Sequence, residues 1–182
     1  SHSMFQMSLI RPGPNYTISP GNTVKVTKMD PRDTQFNCTI LGSMAMDCIT
    51  RPVSTYSCKI LSTSRMALFV GVCPAQIDPL NLFNYQVGFF LYLGSGELFS
   101  GPPHNAARTP FYPQLHSLLH TGSEVVVNMI ADPELPPGTA IRTFTINGIT
   151  LPPAFPGIPL SQPLFPAIIM SDNDDTIQFK QS

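Results

Sequence analysis

The chain has 182 residues, of which 42% are hydrophobic and only 12% charged, a balance that excludes intrinsic disorder despite 20 prolines. One domain with a substantial core fits that length. A formal net charge of −1 gives no electrostatic reason to bind nucleic acid or an anionic membrane, so neither partner is expected. The longest apolar run, 66–73, falls far short of the ~20 residues that a membrane-spanning helix needs.

Ser1-His2-Ser3-Met4 reads as a tag remnant, which assigns residues 1–4 to the tag and 5–182 to a single domain. Segments of strand length then recur at 23–29, 36–41, 56–62, 67–73, 87–93, 97–100, 124–130, 141–146, 164–170 and 176–180. In the first of them Val24 and Val26 alternate with Lys25 and Thr27, as a half-buried strand requires. The runs 67–73 and 124–130 are almost continuously apolar, which suits central strands. No long stretch keeps a 3.6-residue period, and a single helical turn is expected at 116–120. Short strands punctuated by Gly, Pro, Asn and Asp predict an all-β, two-sheet sandwich or barrel.

Residues 143–168 (TFTINGITLPPAFPGIPLSQPLFPAI) hold six prolines among aromatic and aliphatic residues. Asn147-Gly148 favours a type I′ hairpin turn, because both residues tolerate positive φ. After the short return at 149–151, the prolines suit extended chain leaving a sheet edge. Ala154-Phe155 and Leu164-Phe165 then fold back onto the core, so the stretch is an ordered crossover. Val70, Val72, Phe89, Val125, Val127, Phe144, Phe155 and Phe165 are expected to be buried.

Cys38, Cys48, Cys58 and Cys73 form no Cys-x-x-Cys pair and sit largely in apolar strand patterns. Reduced core thiols in a cytoplasmic protein are the expectation. Two glycosylation sequons, at Asn15 and Asn37, are too loose a pattern to overrule it. His116 and His120 share a face only if a helical turn forms, and two imidazoles, even with His104, do not define a metal site. The chain lacks a Gly-x-Ser-x-Gly elbow and a Gly-rich phosphate loop, so no catalytic residue, metal or cofactor is assigned.

Two loops suggest binding. The connection 79–85 carries Leu80, Leu82, Phe83 and Tyr85 where water normally selects polar residues, and aromatic anchors dominate protein-binding hot spots. The acidic turn 171–175, with Asp172, Asp174 and Asp175, lacks calcium-loop spacing and offers a negative rim to a basic peptide.

The order of motifs resembles the SPRY domain family. Residues 69–72 (FVGV) resemble its VGV-type strand, 87–99 (VGFFLYLGSGELF) its Gly-aromatic strand, and 122–127 (GSEVVV) its acidic-valine strand. The series continues with 144–148 (FTING), 154–155 (AF) and 163–167 (PLFPA), six pieces in the family's order. Residues 55–60 (TYSCKI) occupy the slot of the family's Phe-Glu-Val strand. The resemblance implies a bent, two-sheet antiparallel sandwich of the concanavalin-like type. It implies a non-catalytic module that binds another protein through loops at one edge of the sandwich, and loops 42–55, 79–85 and 171–175 are the ones expected to hold a peptide segment or loop of that partner. A lectin-like, carbohydrate-binding sandwich is the alternative.

Overall fold

The computed structural model describes residues 9–101, 109–131, 134 and 138–181. Among them fourteen strands carry the fold: β1 (Tyr16–Ser19), β2 (Thr23–Val26), β3 (Cys38–Leu41), β4 (Val53–Ser62), β5 (Leu68–Pro74), β6 (Phe89–Tyr92) and β7 (Glu97–Ser100), then β8 (Thr109–Pro110), β9 (Glu124–Ile130), β10 (Thr139–Ile146), β11 (Ile149–Thr150), β12 (Phe155–Pro159), β13 (Leu164–Met170) and β14 (Thr176–Gln181). They form two antiparallel sheets. The first runs β1-β2-β14-β4-β9-β10-β11, with β12 also on β10, and the second runs β3-β13-β5-β6-β7-β8. Helix in the described residues is confined to two short 3-10 turns, Asn84–Gln86 and Leu115–Ser117. The expected sandwich is therefore the observed architecture.

Between the sheets lies one large apolar core. From the first sheet it takes Val24, Tyr56, Cys58, Val125, Val127, Phe144, Phe155 and Phe179, and from the second Ile40, Val70, Val72, Phe89, Leu91 and Ile168. The Tyr56 hydroxyl crosses the sandwich and donates to the Gly71 carbonyl at 2.6 Å, tying the two layers together. Gly71 is required there, because a Cβ at that position would collide with the backbone of Phe89 and Phe90.

Phe165 departs from expectation. It is only half-buried, with the Arg11 guanidinium over its ring at 4.5 Å. The period of two explains it: Leu164 and Ile168 point into the main core, whereas Ala167 and Ile169, which share the parity of Phe165, join a second cluster on the outer face. The 23–29 strand ends early, at Val26, because Thr27 N–H turns to the Asn15 carbonyl and Lys28 N–H to the Asn173 side chain.

Asn147 and Gly148 adopt the paired positive φ of a type I′ turn, at 49° and 83°. The proline-rich crossover holds more sheet than expected: β12 pairs along β10, with a register shift between Ala140 and Arg142. Its prolines are tolerated because β12 lies on β10 alone, as an edge strand. All four cysteines are free and buried.

Candidate functional site

The outer face of the second sheet carries a second apolar cluster of buried Leu41, Phe69, Cys73, Phe90, Ala167 and Ile169. Strand register assembles it, since Phe69 lies opposite Tyr92 and Phe90 opposite Phe99. Phe36, Tyr85, Tyr92 and Phe99 pack over it and remain partly exposed. Phe69 is the hub. Tyr85 stacks on it at 5.2 Å with 10° between the rings, Tyr92 lies 4.5 Å away, and Phe36 and Phe99 meet it edge-on at 5.1 Å each.

The 79–85 connection is an ordered cover laid across this cluster. Asn84 is buried, and its side-chain amide donates to the Thr39 hydroxyl at 2.9 Å and the Asp78 carbonyl at 2.8 Å. Thr39 N–H in turn donates to the Pro79 carbonyl, so the connection also shields the open edge of β3. Side chains of Asp78 and Asn81 accept from the N–H groups of Leu80 and Phe83 and fix the turns. The result presents Leu80 at 45% and Phe83 at 56% exposure, with Leu82 and Tyr85 half-buried.

At the other end of the same face stands the acidic turn. Asp172 and Asp175 are buried, and only Asp174 projects outward. Arg65 grips Asp172 through two parallel bonds, Nε to Oδ2 at 2.6 Å and Nη2 to Oδ1 at 2.9 Å. Burial by itself would raise the pKa of Asp172, but hydrogen bonds from Arg65, Ser64 and Ser171 outweigh it and hold the carboxyl below its ordinary value. Burial dominates at Asp175 and pushes its carboxyl up, although Ser64 N–H and the Thr63 hydroxyl donate to it. Asp174, at φ 71°, makes an exposed pair with Lys25 at 3.5 Å.

These two loops are joined by aromatic rings. Arg65 and Asp172 act electrostatically on Tyr92, which packs on Phe69, on which Tyr85 stacks. The Thr34 carbonyl accepts from both Arg65 and Ser171, and Lys28, buried and donating to the Gln35 carbonyl at 2.6 Å, holds the turn that delivers Phe36. The third expected loop lies elsewhere. Its last residues, 53–55, belong to β4, and the rest sits at the opposite end of β13, where Met46 N–H donates to the Leu164 carbonyl.

His116 and His120 are exposed, and the imidazole Nδ1 of His120 lies 2.8 Å from the Thr121 carbonyl. His104 lies outside the described residues, as do residues 1–4. Phe36, Phe69, Tyr92, Phe99 and Arg65 have a structural part in this face that the sequence reading did not assign. Parity could have shown it for the strand residues, since Phe69 and Tyr92 alternate with the core residues Val70 and Leu91. Nothing local marks Arg65 or Phe36.

No family model and no curated protein matches the chain. Solved structures do. The crystal structure of a human SPRY domain superposes with a TM-score of 0.66 at 16% identity, covering 95% of this chain and 97% of that one. The SPRY domain of human HERC1 follows with a TM-score of 0.62 at 13% identity, covering 95% and 94%. Two antiparallel sheets, the same extent and the motif order agree: this chain has the SPRY fold.

Proposed function

We propose that this protein is a non-catalytic protein-interaction module that seats a peptide segment or loop of its partner on the outer face of the second sheet. One observation carries the reading. Leu80 and Phe83 are held out into solvent by a rigid, hydrogen-bonded connection instead of being folded onto the core. Pre-ordered apolar side chains bind at a reduced entropic cost. Phe83 lies 6.3 Å from Tyr85, which stacks on Phe69, and such a run of exposed and half-exposed rings is the kind of apolar surface that marks interaction sites. The shared fold with SPRY domains supports the same reading.

The partner supplies a bulky apolar residue for the surface formed by Leu80, Leu82, Phe83 and Tyr85. Asp172 and Asp175 shape the far loop, and Asp174 offers the outward charge to a neighbouring Lys or Arg. Because Arg65 and Lys25 offset much of that loop's charge, the apolar anchor dominates affinity and Asp174 mainly aids association. A protein partner fits the net charge of −1 better than nucleic acid or an anionic membrane does. Buried free thiols suit a reducing compartment such as the cytoplasm.

Peptides selected from a random library on the wild-type protein test the reading. Phe83→Ala should weaken the selected peptides by about 2 kcal/mol, mainly through faster dissociation. Asp174→Asn keeps a residue suited to positive φ and should slow association, less so at high salt. Unchanged affinity in Phe83→Ala, with an unchanged melting temperature, would remove the proposed site.

A further inference from the structure

Segments 45–49 and 160–164 enclose a hollow of about 370 Å³ at the end of β13 remote from the acidic turn. That volume falls within the range of about 300–1,000 Å³ typical of small-molecule sites. Met46, Ile49, Leu160, Pro163 and Leu164 make its walls largely aliphatic, and among the described residues no aromatic ring lines it as a stacking platform. One wall is fixed in advance. Met46 N–H donates to the Leu164 carbonyl at 2.8 Å and Asp47 N–H to the Ser54 hydroxyl at 3.1 Å. The Met46 sulfur takes contacts from the Ser54 hydroxyl at 4.0 Å and from Gln181 Nε2 at 3.8 Å. A pre-ordered wall lowers the entropic cost of binding.

The polar part of the lining favours a neutral occupant. Asp47 lines the hollow, but its carboxylate accepts from Ile49 N–H, Thr50 N–H and the Thr50 hydroxyl within its own turn, and the Arg51 charge opposes it. Cys48 lines the hollow too, and burial pushes its thiol up, which keeps it neutral. Gln162 is exposed and lines both this hollow and a second one of about 160 Å³ beside Phe89, so it marks the boundary between them. Its carboxamide both donates and accepts, which matches another neutral amide or a hydroxyl. An ion would give up its hydration for walls that offer no free opposite charge.

We propose that the larger hollow binds a neutral aliphatic chain attached to an amide or hydroxyl group, with the chain against Met46, Ile49, Leu160 and Leu164 and the polar group hydrogen-bonded to Gln162. Burial of the chain supplies the affinity, and the Gln162 amide selects the polar group. A free aliphatic amide and an aliphatic residue beside its own backbone amide in a peptide share this chemistry. The site lies apart from the partner face proposed above and does not depend on it.

Titration of the whole chain with octanamide, and separately with acetyl-Ala-Leu-Ala-amide, decides the matter. Octanoate and octylamine are the charged counterparts of the first, and acetyl-Ala-Asp-Ala-amide of the second. At least one neutral ligand should shift the side-chain amide resonances of Gln162 and slow alkylation of Cys48. That ligand should bind roughly tenfold or more tightly than its charged counterparts. Gln162→Ala, at an exposed position, should weaken it by roughly three- to tenfold. Ala45→Phe, which fills the hollow from a half-buried position, should abolish binding. Which neutral ligand acts identifies the source of the chain. A Gln162 signal unmoved by both neutral ligands, or Cys48 alkylated at an unchanged rate, overturns the proposal whether or not the variants fold. So does a charged counterpart that binds as tightly, affinity unchanged in Gln162→Ala, or binding that survives intact in a folded Ala45→Phe.

Discussion

Arg65 shows how much a single side chain organises here. It is half-exposed, yet it closes two bonds on a buried carboxylate and a third contact to Ser171. Arg65→Ala should destabilise the fold by roughly 1–3 kcal/mol, the cost of stripping a charged partner from a buried acceptor. The sign of its pH dependence follows from Asp172. A carboxyl held below its ordinary pKa contributes stability above that ordinary value and loses it as pH falls through the folded value. The gap between wild type and Arg65→Ala in denaturant melts should therefore narrow in acid. A gap independent of pH would show that the pair contributes nothing through Asp172. Residue-scale features such as this one were illegible in the sequence, because Arg65 and Asp172 are 107 positions apart. Phe144 and Val127 were legible, because alternation within one strand assigns them inward.

At the scale of elements, the connection between β5 and β6 is the informative one. Its apolar residues stood out in the sequence, but their fates differ: Tyr85 packs on Phe69 while Phe83 stays exposed. Asn84 decides that outcome by pinning the chain to Thr39 and Asp78. Asn84→Ala should leave the strands intact while speeding amide exchange across 79–85, and should weaken peptide binding although Asn84 itself is buried. Exchange rates equal to wild type would mean that the connection is ordered by its apolar contacts alone. β12 teaches the reverse lesson. Its prolines argued for extended coil, and the chain pairs there regardless, because an edge strand needs only one side of its hydrogen-bonding groups. The outer aromatic face was readable from parity in β5 and β6, whereas Phe36 reaches it from an irregular loop that parity cannot address.

For the whole molecule, burial of the thiols sets an alkaline limit. Cys38, Cys58 and Cys73 are each pushed up to about 12, foremost by burial. Their folded values lie above the ordinary thiol value, so the stability they confer is present below it and is lost as pH rises through about 12. Arg142, lowered to about 10, works in the opposite direction over part of that window, but three thiols outnumber one guanidinium. The denaturant midpoint should fall steadily above about pH 9, and Cys58→Ala should make that fall shallower than in wild type. A flat profile would mean that the thiols are not sequestered in the folded state.

The central claim is that partners dock on the outer face of the second sheet. Replacing Phe83 with a photo-crosslinking phenylalanine analogue, and placing the same analogue at Ile149 on the first sheet as a control, tests it most directly, since both positions are about half-exposed, at 56% and 51%. Library-selected peptides should crosslink at position 83, through a segment containing a bulky apolar residue, and not at 149. Crosslinking at 149 alone, or equally at both positions, would contradict the account.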